Sequence, residues 1–311
     1  MRDAHPSSED WRADAMAASR HSRLLDELRL PQAAADPDKA ARLCGEVCRK
    51  ALRDLAPALI LLPAAERRRA QALAAYVLVL FDFARQSGLE GERLSHINRW
   101  QFHLEEALSE ETQSEETPSG EPARQPIFLC LQREERLRPW DREALDGLAD
   151  AARRRVATRR PATSAARQAE LERLATALAG ALVDTGRDAA AALGAGLLRL
   201  FSLLDLGEGL RRHDARLPRR DLPDDWSPGG AADRELLAAA VAAECDRARA
   251  ALRSSRWRQL PRAWRRPARF AALTGLALLG RIERAGAGVV GRAPRLGLGA
   301  RIALLLRARW L

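Results

Sequence analysis

The stretch ALGAGLLRLFSLLDLGEGLRRHDARLPRRDL, residues 192–222, decides the fold. It is apolar on nearly every face up to Leu204, as a helix inside a bundle should be. Asp205 and Glu208 then follow at i, i+3, which puts both carboxylates on one helix face. Two acids at the end of a buried helix are costly unless something neutralises them. A Mg²⁺–diphosphate complex would do so, because hard oxygen ligands suit Mg²⁺. So would Arg211 and Arg212, pairing with the acids in a fraying last turn. The spacing leaves both readings open.

The surrounding chain extends the helical pattern. Of 311 residues, 47% are apolar, mostly Ala and Leu, and there is one Tyr. Such composition favours helix over sheet. A helical pattern runs from about Ala40 to Gln86, broken at Pro57 and Pro63. Residues 92–111 form one amphipathic helix, with Leu94, Ile97, Trp100, Leu104 and Leu108 at helical spacing. The stretch 126–137 follows, and further helices are predicted at 141–155, 165–185, 188–212 and 231–253, with two more in the tail. No segment alternates with a period of two. The expectation is an all-α fold: a single domain at 40–311 behind a polar, loosely ordered segment 1–39, with an acidic surface loop at 109–126.

The net charge is +10, and only Lys39 and Lys50 are lysines. Near-exclusive Arg beside abundant Ala, Gly and Leu fits a coding bias better than a nucleic-acid surface, and nucleic acid is not an expected partner. The excess is local: residues 251–311 hold fourteen Arg against the single acid Glu283. That region, with Trp257 and Trp264, suits peripheral attachment at a membrane surface or packing through the Trp side. No run reaches the roughly 18 apolar residues of a membrane span, and the N-terminus carries no apolar signal core. A cytoplasmic protein is expected, at most peripheral at the inner membrane surface. Cys44, Cys48, Cys130 and Cys245 lack zinc-ligand spacing and read as buried small hydrophobes.

A second acid sits oddly. In LVLFDFARQSG, residues 78–88, Asp82, Arg85 and Gln86 end a long apolar helix. Taken with 192–222, the chain resembles the squalene/phytoene synthase family. That family's second acidic motif, Q-x-x-N-x-x-R-D-x-x-E-D, is matched by Asp205 and Glu208, and ARLPRRDL stands for the segment that follows it. LILLPAAERRRAQALAAYVLVLFDFARQ (59–86) resembles the segment ending in D-D-x-x-D. PIFLCL (126–131), RIERAGAGVV (281–290) and RIALLLRARWL (301–311) resemble later stretches in the same order. The nearest branch is the bacterial one that makes presqualene diphosphate or squalene-type products.

The resemblance implies an isoprenoid-synthase-type helical bundle. It also implies a chemistry in which Mg²⁺ draws diphosphate from a prenyl diphosphate inside a dry apolar pocket. It places candidate metal ligands at Asp82, Asp205 and Glu208, with Gln86 as a neutral donor, and substrate contacts at Arg85, Arg212 and Tyr76. The ligand would be farnesyl or geranylgeranyl diphosphate. NADPH is not expected, although the residues leave open whether water or hydride would end a reaction. The departures are specific. Phe83 and Gln86 stand at the second and third acids of the first motif. Leu198, Phe201, Leu204 and Gly209 replace the Gln, Asn, Arg and last Asp of the second. Asp54-Leu55 stands for an early Ser-Phe.

Three functions follow. The first is a homologue that binds a prenyl diphosphate but no longer condenses it efficiently, acting as an accessory or with a protein partner. The second is an active head-to-head prenyltransferase on a reduced metal site. The third is an unrelated all-α basic protein that binds membrane or nucleic acid.

Overall fold

The computed structural model describes residues 36–86, 88–109, 125–158, 160–211, 215–223, 226 and 231–309. The described residues are helical and contain no strand. The helices are α1 Pro37–Leu52, α2 Pro57–Ile60, α3 Ala64–Arg85, α4 Glu90–Ala107, α5 Pro126–Leu137 and α6 Arg142–Ala157. They continue with α7 Ser164–Leu182, α8 Arg187–Leu204, α9 Leu206–Arg211, α10 Ala231–Ser254, α11 Arg262–Ala285 and α12 Leu298–Arg309. Short 3₁₀ turns lie at Arg53–Leu55, Trp257–Gln259 and Gly286–Val290.

The helix ends follow local chemistry. Pro57 opens α2 and Pro63 precedes α3, where a missing N–H costs nothing. Asp141 caps α6 by accepting from the Ala144 N–H at 3.1 Å. Thr163 caps α7 through the Ala166 N–H. Most of the predicted N-terminal segment and most of the acidic loop, including residues 1–35 and 110–124, lie outside the described residues.

Two large apolar cores hold the described helices together, with a small third cluster of Leu171, Ala175 and Ala195 between α7 and α8. The first is built from α1, α3, α4, α5 and α6, with fully buried Tyr76, Ile97, Phe128 and Leu148 and an aromatic cluster around Trp100. The second is built from α8, α10 and α11, with Leu200, Val241 and Leu279 completely buried. Burying each such side chain stabilises by about 1.5–3 kcal/mol. The α7–α8 hairpin joins the two halves, α7 lying on α6 and α8 on α10.

The ERRR run of 66–69 anchors the start of α3. Arg69 donates to the Arg138 and Pro139 carbonyls and lies 3.5 Å above the Trp140 ring. Arg68 pairs with Glu134 and Arg138 with Glu66. These arginines fix the α3 register against the α5–α6 turn.

Two expectations need correcting. The predicted helix 188–212 is two helices, broken at Asp205, because α9 turns to lie against the Gly286–Val290 turn. There Gly207 is needed: a Cβ would run into the Val290 carbonyl oxygen. Nor is α8 apolar throughout. Arg199 points into the protein and is only 2% exposed. It pairs with buried Glu244 of α10 at 2.5 Å and donates to Gln168 of α7. Arg247 joins Glu244 to Asp221, at 2.8 Å on each side. Beside it, Arg167 and Arg216 both pair with Glu170. Burial raises the Glu170 carboxyl, but the two guanidiniums outweigh it and hold the carboxyl below its usual value.

All four cysteines are buried. Cys44 and Cys130 lie Sγ to Sγ at 3.7 Å between α1 and α5, and burial pushes the Cys48 thiol up to about 12.

Candidate functional site

Three separate segments converge at Asp205. The chain breaks there between α8 and α9, with φ −95° and ψ 8°. Its Oδ2 lies 3.7 Å from Arg85 Nη2 at the C-terminal end of α3. Its Oδ1 lies 3.7 Å from Arg53 Nη2, just after α1. The ends of the two motif helices are therefore bridged by an arginine–carboxylate–arginine cluster. All three side chains are between a third and two-fifths exposed. Such pairs are loosely held and open to solvent.

Arg53 is the one non-glycine residue with positive φ among the described residues, at φ 50°. Holding it there costs about 1–3 kcal/mol, and strain of this kind gathers at ligand-binding positions. Its neighbour Asp54 is buried. Asp54 accepts the Leu296 N–H at 2.8 Å and pairs with Arg301 of α12. The 53–54 turn thus reaches Asp205 with one residue and the C-terminal segment with the next.

Helical phase places apolar material beside the cluster. At about 100° per residue, Leu78, Phe81 and Asp82 share the α3 face of Arg85, and Leu198 and Phe201 share the face that leads to Asp205. Leu78, Phe81 and Leu198 are half-buried against the first core and Phe201 against the second.

The remaining candidates fall elsewhere. Glu208 pairs with Arg211 at 2.6 Å on the exposed side of α9. Gln86 is the half-buried cap residue of α3. Tyr76 lies about half a turn round α3 from Arg85. It is fully buried in the first core, stacked on Trp100, and burial raises its hydroxyl. Arg212 lies outside the described residues. Trp257 and Trp264 pack half-buried on the second core. Sequence reasoning missed Arg53. Its one available signal was its place beside Asp54-Leu55, where the resemblance expects Ser-Phe.

Among the described residues, no group of three or more His, Cys, Asp and Glu side chains is arranged to hold a metal ion. No described helix is long and apolar enough to cross a membrane.

A sequence profile of the squalene/phytoene synthase family matches residues 48–301. Among solved structures, the fold is similar to a dehydrosqualene synthase determined in complex with ligand, with a TM-score of 0.69. The two are 14% identical over 88% of this chain and 98% of the other. YisP from Bacillus subtilis superimposes with a TM-score of 0.61 at 14% identity, over 91% of this chain and 98% of that one. The squalene synthase HpnC from Alicyclobacillus acidocaldarius gives 0.58 at 21% identity, over 79% and 95%. At these identities the likeness establishes the fold, the single-domain all-α bundle expected above. A search of curated protein sequences finds no match.

Proposed function

The chain belongs to the squalene/phytoene synthase family, and from that premise we propose that it binds a prenyl diphosphate through arginine and does not condense it efficiently. The observation that carries this reading is Asp205 set between Arg53 and Arg85. Where the resemblance calls for clustered acids, a carboxylate is flanked by two positive charges. Arg53 and Arg85 would repel a divalent cation approaching Asp205, and Glu208 is engaged by Arg211. The described donor set therefore does not fit a Mg²⁺–diphosphate clamp of the implied kind.

It fits a diphosphate instead. Each guanidinium carries five donors and matches phosphate oxygens in pairs. Asp205 would orient both forks, and the half-buried residues Leu78, Phe81, Leu198 and Phe201 would receive the start of a farnesyl or geranylgeranyl chain. Guanidinium charge binds a diphosphate but lacks the Lewis acidity that pulls it from its allylic carbon. This supports an accessory role in isoprenoid metabolism. The prenyl ligand is lipid-soluble, and the basic C-terminal region fits peripheral attachment to a membrane.

The test is turnover. The purified protein is incubated with farnesyl diphosphate and Mg²⁺, with and without NADPH, and both inorganic diphosphate and extracted lipids are assayed beside an Asp205→Ala variant. The expected result is no release above background in either protein, while farnesyl diphosphate raises the melting midpoint of the wild type. Mg²⁺-dependent release that vanishes in Asp205→Ala would establish an active prenyltransferase and reject the accessory reading.

A further inference from the structure

The C-terminal helix α12 is apolar on two opposite sides and packed on one. Ala300, Leu304 and Ala308, four residues apart, face the body of the protein; the first two pack on the second core and Ala308 is 1% exposed. About half a turn away, Leu298, Ile302 and Leu306 form a second stripe at the same spacing. These are 73%, 48% and 52% exposed. A helix apolar on both sides normally buries both, and among the described residues nothing covers this stripe.

The charge around it names the cover. Arg309 falls on the stripe side at the helix end, and Arg295 and Arg307 are exposed beside it. The single acid from residue 251 onward, Glu283, is already paired with Arg249 at 2.5 Å. An apolar row edged by arginine, with its neighbouring acid Asp54 buried and paired with Arg301, complements an anionic lipid surface. Leucine and isoleucine enter the acyl boundary while guanidiniums stay among the headgroup phosphates. The half-buried Trp257 and Trp264, by contrast, are committed to the core.

We propose that α12 docks the protein on an anionic membrane through Leu298, Ile302 and Leu306, with Arg309 at the headgroups. This assigns a surface to the membrane attachment named above and does not rest on the prenyl diphosphate reading. The docked helix lies close to the candidate site in bonding terms. Leu296 and Arg301, at the root of α12, both engage Asp54, and Asp54 adjoins Arg53. A lipid-borne ligand would thus arrive beside the arginine cluster.

Co-sedimentation of the full chain with vesicles tests the proposal without any prenyl diphosphate. The vesicles are phosphatidylcholine alone or phosphatidylcholine with phosphatidylglycerol. The wild type is expected to bind the anionic vesicles, less strongly in high salt. The Ile302→Asp/Leu306→Asp variant should lose about tenfold or more in partitioning, with unchanged helicity and melting midpoint. Arg309→Glu should lose a smaller factor, and Phe102→Asp, which removes an exposed aromatic on α4, should bind as the wild type does. Failure of the wild type to bind, or equal binding by the double variant, overturns the proposal. So does a wild-type dimer that the double variant dissolves, because the cover would then be a second copy of the chain.

Discussion

Asp205 lies 3.7 Å from each of two arginines from different parts of the chain, and on the proposed reading that arrangement turns a position suited to metal into one suited to an anion. The change comes from two residues that sequence spacing weighs unequally. Arg85 was legible, since it follows Asp82 by one turn at the end of an apolar helix. Arg53 was not: its role depends on a positive φ after α1, and nothing in the local residue pattern demands that conformation. The position of Tyr76 was not legible either. The resemblance made it a substrate contact, and packing against Trp100 puts it in the first core instead. The break at Asp205 was also hidden, because an apolar helix followed by Gly207 and Gly209 gives no sign of what the turn must pass. Gly207→Ala should lower stability by about 1–3 kcal/mol, from overpacking against the Val290 carbonyl. Urea denaturation would measure the loss. A wild-type midpoint would mean that the α9 contact is looser than described.

At the scale of elements, helix existence and order followed from composition. Ala and Leu with few β-branched residues leave little alternative to helix, and the breaks read at Pro57 and Pro63 are kept by the structure. The polar ties between helices were not legible. Arg199 in an apolar run looks like a surface charge until α10 brings Glu244 against it. The pair is worth testing because its two halves have unequal consequences. Removing one partner leaves an unpaired buried charge, and removing both leaves an apolar contact. Arg199→Met should therefore cost about 3–5 kcal/mol, and Arg199→Met/Glu244→Leu should recover most of that loss. Denaturant midpoints of the wild type and the two variants decide it. A double variant as unstable as the single one would place the network's value in Gln168 and Arg247 instead.

The whole molecule is two apolar cores joined by the α7–α8 hairpin, with the motif helices α3 and α8 coming from different cores and meeting at their ends through Arg85 and Asp205. The order of motifs along the chain was enough to suggest the all-α family fold, but not its division into two main cores. The chemistry at the junction was not readable from that order, since it rests on side chains that converge from positions 53, 85 and 205. On the proposed reading, the arginine bridge stands where the resemblance implies paired acids and metal.

The most direct measurement of this account is farnesyl diphosphate binding by calorimetry in EDTA and again in Mg²⁺, for the wild type and for Arg85→Met. The prediction is binding in EDTA that Mg²⁺ does not strengthen, and a loss of about tenfold or more in Arg85→Met, as expected for charge-assisted hydrogen bonds to phosphate. Binding that requires Mg²⁺ and survives Arg85→Met would contradict it.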